Sequence, residues 1–156
     1  MIPNGVRLRW TEGKPVINGW LSTSSAFVAE IMSAQGYDSL TIDLQHGLVG
    51  YEAATAMLQA MRASGVTPMV RVPWLDPGDI MKALDAGAYG IICPMINSRA
   101  EAERLISYMH YPPQGQRSFG PTRAIFAAGA DYGQKADDEI LAFAMIETAE
   151  AMKNLD

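Results

Sequence analysis

One arrangement recurs along this chain and restricts its fold more than any other feature. An apolar run of strand length is followed by a short link, a capping residue and a stretch with helical spacing. The runs fall at 16–21, 39–44, 67–72, 90–95 and 141–146. After the first, Ser22 to Ser25 offer N-caps ahead of Phe27, Ile31 and Met32 at helical spacing. The stretch 51–63 is Ala/Met-rich and closes at Ser64-Gly65. Asp76-Pro77 supplies an N-cap and a proline at the first helical position. Ser98 caps 99–109, and Thr148 caps a last helix that begins at Ala149. Strand and helix alternating over short links predict parallel strands joined by right-handed crossovers.

Two α/β architectures share that order, the doubly wound sheet and the (β/α)8 barrel. No glycine-rich dinucleotide fingerprint follows the first strand, which favours the barrel. A barrel takes eight units and about 250 residues. The 156 residues hold about four and a half units and stop inside a helix. We therefore expect residues 1–156 to be the N-terminal portion of a single barrel domain. The segment 114–138 has several glycines, Arg117, Arg123 and few strand signals, and reads as a long functional loop with one short helix.

Composition narrows the function. Apolar residues make up 49% and charged residues 19%, enough for a sizeable core. The net charge of −5, with no Lys/Arg cluster, argues against nucleic acid or an anionic membrane as partner. A single cysteine, Cys93, excludes an intrachain disulfide. No apolar stretch reaches bilayer length, and the first residues lack the apolar core of a signal peptide. A cytoplasmic protein is the expectation.

Three of the runs end in a charge. Ile42-Asp43-Leu44-Gln45-His46-Gly47 and Met69-Val70-Arg71-Val72-Pro73 each carry one, and 141–146 leads to Glu147. In α/β folds ligands bind at the C-terminal ends of strands. Asp43, His46 and Arg71 are therefore expected in one pocket. A carboxylate holding one imidazole nitrogen would set the tautomer and raise the basicity of the other. Arg71 is either a donor to a substrate carbonyl or carboxylate, or half of a structural ion pair with Asp43 or Glu147. Glu147 is a candidate ligand for a hard cation, or simply an acid in the first turn of a helix. Trp20 and Trp74 are candidates for the pocket wall. Phe119 and Gly120 offer backbone N–H groups near it. Cys93 reads as a buried, inert thiol.

Taken in order, Asp43-Leu44-Gln45-His46-Gly47, Val70-Arg71-Val72-Pro73, Leu84-Asp85-Ala86-Gly87-Ala88, Cys93-Pro94-Met95, Tyr111-Pro112-Pro113-Gln114-Gly115-Gln116-Arg117 and Ile146-Glu147-Thr148 resemble the metal-dependent (class II) pyruvate aldolases. That family includes 4-hydroxy-2-oxoheptanedioate aldolases, 2-keto-3-deoxy-sugar-acid aldolases and macrophomate synthase. The similarity runs from about Asn18 to Asp156. It implies a (β/α)8 TIM barrel of the phosphoenolpyruvate/pyruvate type, assembled as a homo-hexamer. It implies Glu147 as a ligand of Mg²⁺ or Mn²⁺, with Co²⁺ also serving, and a second carboxylate ligand beyond residue 156. It implies His46, oriented by Asp43, as base, and Arg71 as the group on the keto oxygen. Trp20, Gln45, Phe119 and Gly120 complete the expected substrate contacts. Gln45 stands where some members have Glu, and Met145 where some have Gln.

The expected reaction is reversible aldol cleavage of a 4-hydroxy-2-oxo acid to pyruvate and an aldehyde. A Schiff-base route needs a buried lysine. Lys14, Lys82, Lys135 and Lys153 all fall outside the strand-like runs. The alternatives are oxaloacetate decarboxylation or macrophomate-synthase-like enolate chemistry at the same site, and an inactive half-barrel.

Overall fold

Alternation within the strands sets the layout. In β2 (Ser39–Asp43), Leu40 and Ile42 point one way, Ser39, Thr41 and Asp43 the other. The same split runs through β1 (Asn18–Leu21), β3 (Thr67–Arg71), β4 (Gly90–Cys93) and β5 (Leu141–Ala144). These come from a computed structural model that describes Met1–Leu155. Eight helices complete the described residues. They are α1 (Gly5–Thr11), α2 (Ala26–Ser33), α3 (Tyr51–Met61), α4 (Pro77–Asp85), α5 (Arg99–Met109), α6 (Thr122–Ala128), α7 (Tyr132–Glu139) and α8 (Ala149–Lys153).

All five strands are parallel, in the order β1-β2-β3-β4-β5. A doubly wound sheet reverses its order at a switch point. Here every crossover steps the same way, as in a barrel wall. Right-handed crossovers that all step one way put their helices on one face. The chain is thus a parallel α/β fold of five strands in the order of a barrel wall.

The helix-facing side chains Leu21, Leu40, Ile42, Val70, Ile91 and Cys93 are all buried. They meet Met57, Leu58 and Met61 of α3, Ile80 and Leu84 of α4, and Leu105 and Met109 of α5 in one core. Each large side chain so buried contributes roughly 1.5–3 kcal/mol. The opposite face of the sheet is polar toward β1 and β2. There Asn18 Oδ1 accepts hydrogen bonds from Ser39 Oγ (2.8 Å) and Thr41 Oγ1 (3.1 Å).

The caps read from the sequence are present. Ser25, Asp76, Ser98 and Thr148 each accept backbone N–H bonds at the start of α2, α4, α5 and α8. Two features go beyond the local signals. Buried Asn4 caps α1 and pins it beneath the sheet. Its Nδ2 donates to the carbonyls of Tyr89 (3.1 Å) and Glu139 (2.8 Å). And 114–138 is no long loop with one helix, because it folds into α6 and α7. Ala124, Ala128, Tyr132 and Ala136 are buried there, and α6 packs against α4. Helices this short are stabilised by burial rather than by their own propensity, so no local signal announces them.

Candidate active site

Asp43 and Arg71 are direct neighbours in the β2–β3 register, at the C-terminal ends of both strands. Their side chains rise on the same face and form a two-pronged ion pair. Arg71 Nε donates to Asp43 Oδ1 at 2.9 Å and Nη2 to Oδ2 at 2.6 Å. Trp20, one strand over, donates its indole N–H to Oδ2 at 3.3 Å. Its ring lies under the guanidinium, 4.9 Å from Cζ. The Asp43 side chain is 3% exposed and that of Arg71 13%.

The loop after β2 closes back onto the same carboxylate. The backbone N–H groups of Gln45 and His46 donate to Asp43 Oδ1 at 3.0 and 3.2 Å. Gly47 permits the turn, since a Cβ there would lie 2.2 Å from the Asp43 carbonyl oxygen. Burial pushes the Asp43 carboxyl up, but the bonds from Arg71, His46 N–H, Trp20 and Gln45 N–H outweigh it. The group is held well below the usual carboxylate range. The same bond from Asp43 raises Arg71, with smaller help from the charges of Asp43 and Glu147. This is a permanently charged pair. Arg71 Nη1 is bonded to no described residue.

The expected arrangement of His46 needs correcting. Asp43 holds the His46 main chain, not its ring, because both carboxylate oxygens are already filled by Arg71, Trp20 and two N–H groups. The His46 side chain is exposed beside the pair. Gln45 leaves its Oε1 buried and without a donor. Of the two readings of Arg71, the ion pair with Asp43 is the one present here.

Glu147 follows β5, where its Oε1 accepts the Met95 N–H at 2.8 Å. Met95 adopts the left-handed backbone, φ 57°, to present that N–H. Met95 stood in the Cys93-Pro94-Met95 motif, but a methionine carries no signal for that conformation. Among the described residues no three His, Cys, Asp or Glu side chains converge as a metal site. One exposed carboxylate does not satisfy a hard cation that takes six or so oxygen ligands. These residues by themselves do not fit a resident ion.

Other expected contacts disperse. Trp74 is 56% exposed, with no contact to the pair among those described. Phe119 lies against Tyr111, with ring centroids 5.1 Å apart, and Gly120 faces Asp85. Asp85 ends α4, at the end of the fold where β4 begins. Within one chain Phe119 and Gly120 are therefore not brought to Arg71. Arg117 is buried and ties this region together, donating to Asp85 Oδ1 at 2.7 Å and Tyr132 Oη at 3.1 Å. Cys93 is buried, and desolvation pushes its thiol up to about 12. Lys82, Lys135 and Lys153 sit on helices and Lys14 in a loop.

The fold and this site define a class: a parallel barrel-type α/β chain with a fixed carboxylate–guanidinium pair at its strand ends. Comparison makes the assignment specific. Residues 17–156 match the HpcH/HpaI aldolase/citrate lyase family, and the chain belongs to it. It is 46% identical over 153 residues to a hydroxypyruvate/pyruvate aldolase of Rhizorhabdus wittichii, covering 98% of this chain and 61% of that protein. It is 36% identical over 155 residues to a 4-hydroxy-2-oxo-heptane-1,7-dioate aldolase of Shigella flexneri, covering 97% and 58%. The crystal structure of an HpcH/HpaI aldolase/citrate lyase family protein from Burkholderia cenocepacia superposes with a TM-score of 0.89 at 29% identity, covering 97% and 62%. The chain thus spans about six-tenths of the length of the relatives it matches.

Proposed function

We propose that residues 1–156 form the N-terminal portion of one aldolase barrel, and that the protein catalyses reversible aldol cleavage of a 4-hydroxy-2-oxo acid. The observation that carries this reading is the Asp43–Arg71 pair with its open prong, in a chain of the HpcH/HpaI family. Arg71 Nη1 donates to the keto oxygen of the 2-oxo acid. Asp43 fixes the plane of the guanidinium, and the Trp20 ring supports it from below. His46, which no described side chain restrains, accepts the proton of the C4 hydroxyl. The C4–O electrons form the aldehyde carbonyl and the C3–C4 pair moves into the C2–C3 enolate. Arg71 offsets the charge that develops on the enolate oxygen, a kind of electrostatic stabilisation that often dominates catalysis. Protonation at C3 then gives pyruvate.

Glu147 is assigned as one ligand of a divalent ion, Mg²⁺ or Mn²⁺ with Co²⁺ also serving, whose second carboxylate lies outside residues 1–156. Gln45 is assigned to the substrate through its orphan acceptor. Phe119 and Gly120 are assigned to a neighbouring copy's site in a homo-oligomer, a hexamer by family resemblance. The partners are a 2-oxo acid and an aldehyde. No described helix is long and apolar enough to cross a membrane, and a cytoplasmic location is proposed.

The test is pyruvate release coupled to NADH oxidation by lactate dehydrogenase. It is run on the protein at its natural length, which intact mass establishes, with and without a chelator. Chelator-sensitive release of pyruvate together with a trapped aldehyde is the expected result. Decarboxylation of oxaloacetate with no aldol cleavage, or cleavage untouched by a chelator, overturns the reading.

A further inference from the structure

An apolar cavity lies at the other end of the sheet. It is about 380 Å³ and is walled by Leu8 of α1, Leu58 and Met61 of α3, and Val66 ahead of β3. Thr67 and Tyr89, which begin β3 and precede β4, form its floor. Asp43 and Arg71 stand at the opposite ends of their strands, so nothing bound here touches them.

Two arginines share this apolar space. Arg62 caps α3 and Arg123 lies in α6. Neither forms an ion pair with a carboxylate among the described residues, and no acidic side chain lines the cavity. Each spends one N–H on a carbonyl: Arg62 on Phe126 (3.1 Å), Arg123 on Ala86. The rest of their five-donor forks is free. Gly87 clears the way for Arg123, since a Cβ there would lie 2.4 Å from its Nη1. Desolvation, with the charge of Arg62 second, pulls Arg123 below its ordinary pKa, as expected for two cations without a counter-charge. The Thr67 hydroxyl makes no hydrogen bond among the described residues. Arg123 is half-buried beside an apolar wall, where a charge is costly until an anion arrives; Arg62 is exposed, its guanidinium over the Phe126 ring. A cavity of this volume, mostly apolar with a few converging polar groups, has the form of a small-molecule site.

We propose that this cavity binds a small amphipathic carboxylate, its apolar body among Leu8, Leu58, Met61 and Val66 and its head on Arg62 and Arg123. Such a ligand bridges α1, α3 and α6 and binds without competing with a 2-oxo acid. Octanoate is the probe, titrated calorimetrically into the protein at its natural length. Octanol and acetate separate tail from head. Octanoate is expected to bind with 1:1 stoichiometry per chain, at least tenfold tighter than either control, and undisplaced by pyruvate. Arg123→Met removes one head contact, and Arg62→Gln, at an exposed side chain, removes the other with little risk to folding. Each is expected to weaken octanoate about tenfold, the discrimination of one charge-assisted contact. No binding overturns the proposal, including where another segment of the protein already fills the cavity. So does octanol binding as tightly as octanoate, displacement by pyruvate, or octanoate affinity unchanged in folded Arg62→Gln and Arg123→Met.

Discussion

Replacing Asp43 with Asn keeps the shape of the side chain and removes its charge. The carboxylate accepts five hydrogen bonds, two on Oδ2 and three on Oδ1. An amide turned to keep the Oδ1 bonds points its NH₂ at Arg71 Nη2 and Trp20 Nε1, donor against donor. The 2.6 Å charged bond is then lost, worth about 1.5–3 kcal/mol, and Arg71 is left without its ion-pair partner. Breaking a buried pair costs about 3–5 kcal/mol, and Arg71 keeps some solvent access, so the lower end applies: about 3 kcal/mol. In a domain of this size that is a fall in Tm of roughly 6–12 °C. The pH dependence follows from the depressed pKa of Asp43. Its stabilisation is fully present above the unfolded carboxyl's pKa of about 3.9 and is lost as pH falls through the lower folded value. The gap between wild type and Asp43→Asn, from urea unfolding, is therefore expected to be flat from pH 8 to pH 5 and to narrow only in stronger acid. A gap under about 1 kcal/mol at pH 7 would refute the assignment of Asp43 as anchor of Arg71. So would one that closes between pH 8 and pH 5.

His46→Ala is expected to lower kcat by about 10²–10⁴ while moving stability by less than about 0.5 kcal/mol, because the ring is exposed and unpaired; equal losses of both would make it structural. Gly47→Ala drives a Cβ into the Asp43 carbonyl, so Tm and activity are expected to fall together, and an unchanged crystal geometry with full activity counts against the close approach. Cys93, its thiol pushed up to about 12, is expected to resist a thiol reagent at pH 8 until urea unfolds the chain. Stoichiometric labelling of the native protein would contradict its burial.

Much of this fold is legible because its signals are local. Asp76-Pro77 and Ser98 start helices by chemistry that needs only neighbouring residues. Arg71 stood out because a charge inside an apolar run must have a partner. The site was less legible. Sequence puts Asp43 and His46 three residues apart, a spacing that suits a ring hydrogen bond. The tertiary structure fills the carboxylate first, since register brings Arg71 beside it and β1 brings Trp20. Two charged N–H bonds and an indole displace the imidazole, and the loop turns its main chain inward instead. Within one chain Phe119 and Gly120 stay apart from Arg71 for a similar reason. The buried Arg117–Asp85 bond draws their segment to the far end of α4.

By itself, then, the sequence determined the alternation of strand and helix, the parallel sheet, the strand-end charges and the family resemblance. The first three rest on periodicity, caps and strand ends, which act over a few residues, and the resemblance rests on six motifs taken in order. Tertiary structure alone decided which groups share a bond. It set the register that makes Asp43 and Arg71 one pair, the burial that turns 114–138 into α6 and α7, and the left-handed Met95 that meets Glu147. It also left Arg62 and Arg123 facing one cavity without a counter-charge. Contacts between residues far apart in sequence depend on the geometry of the whole sheet, and no local pattern encodes that geometry.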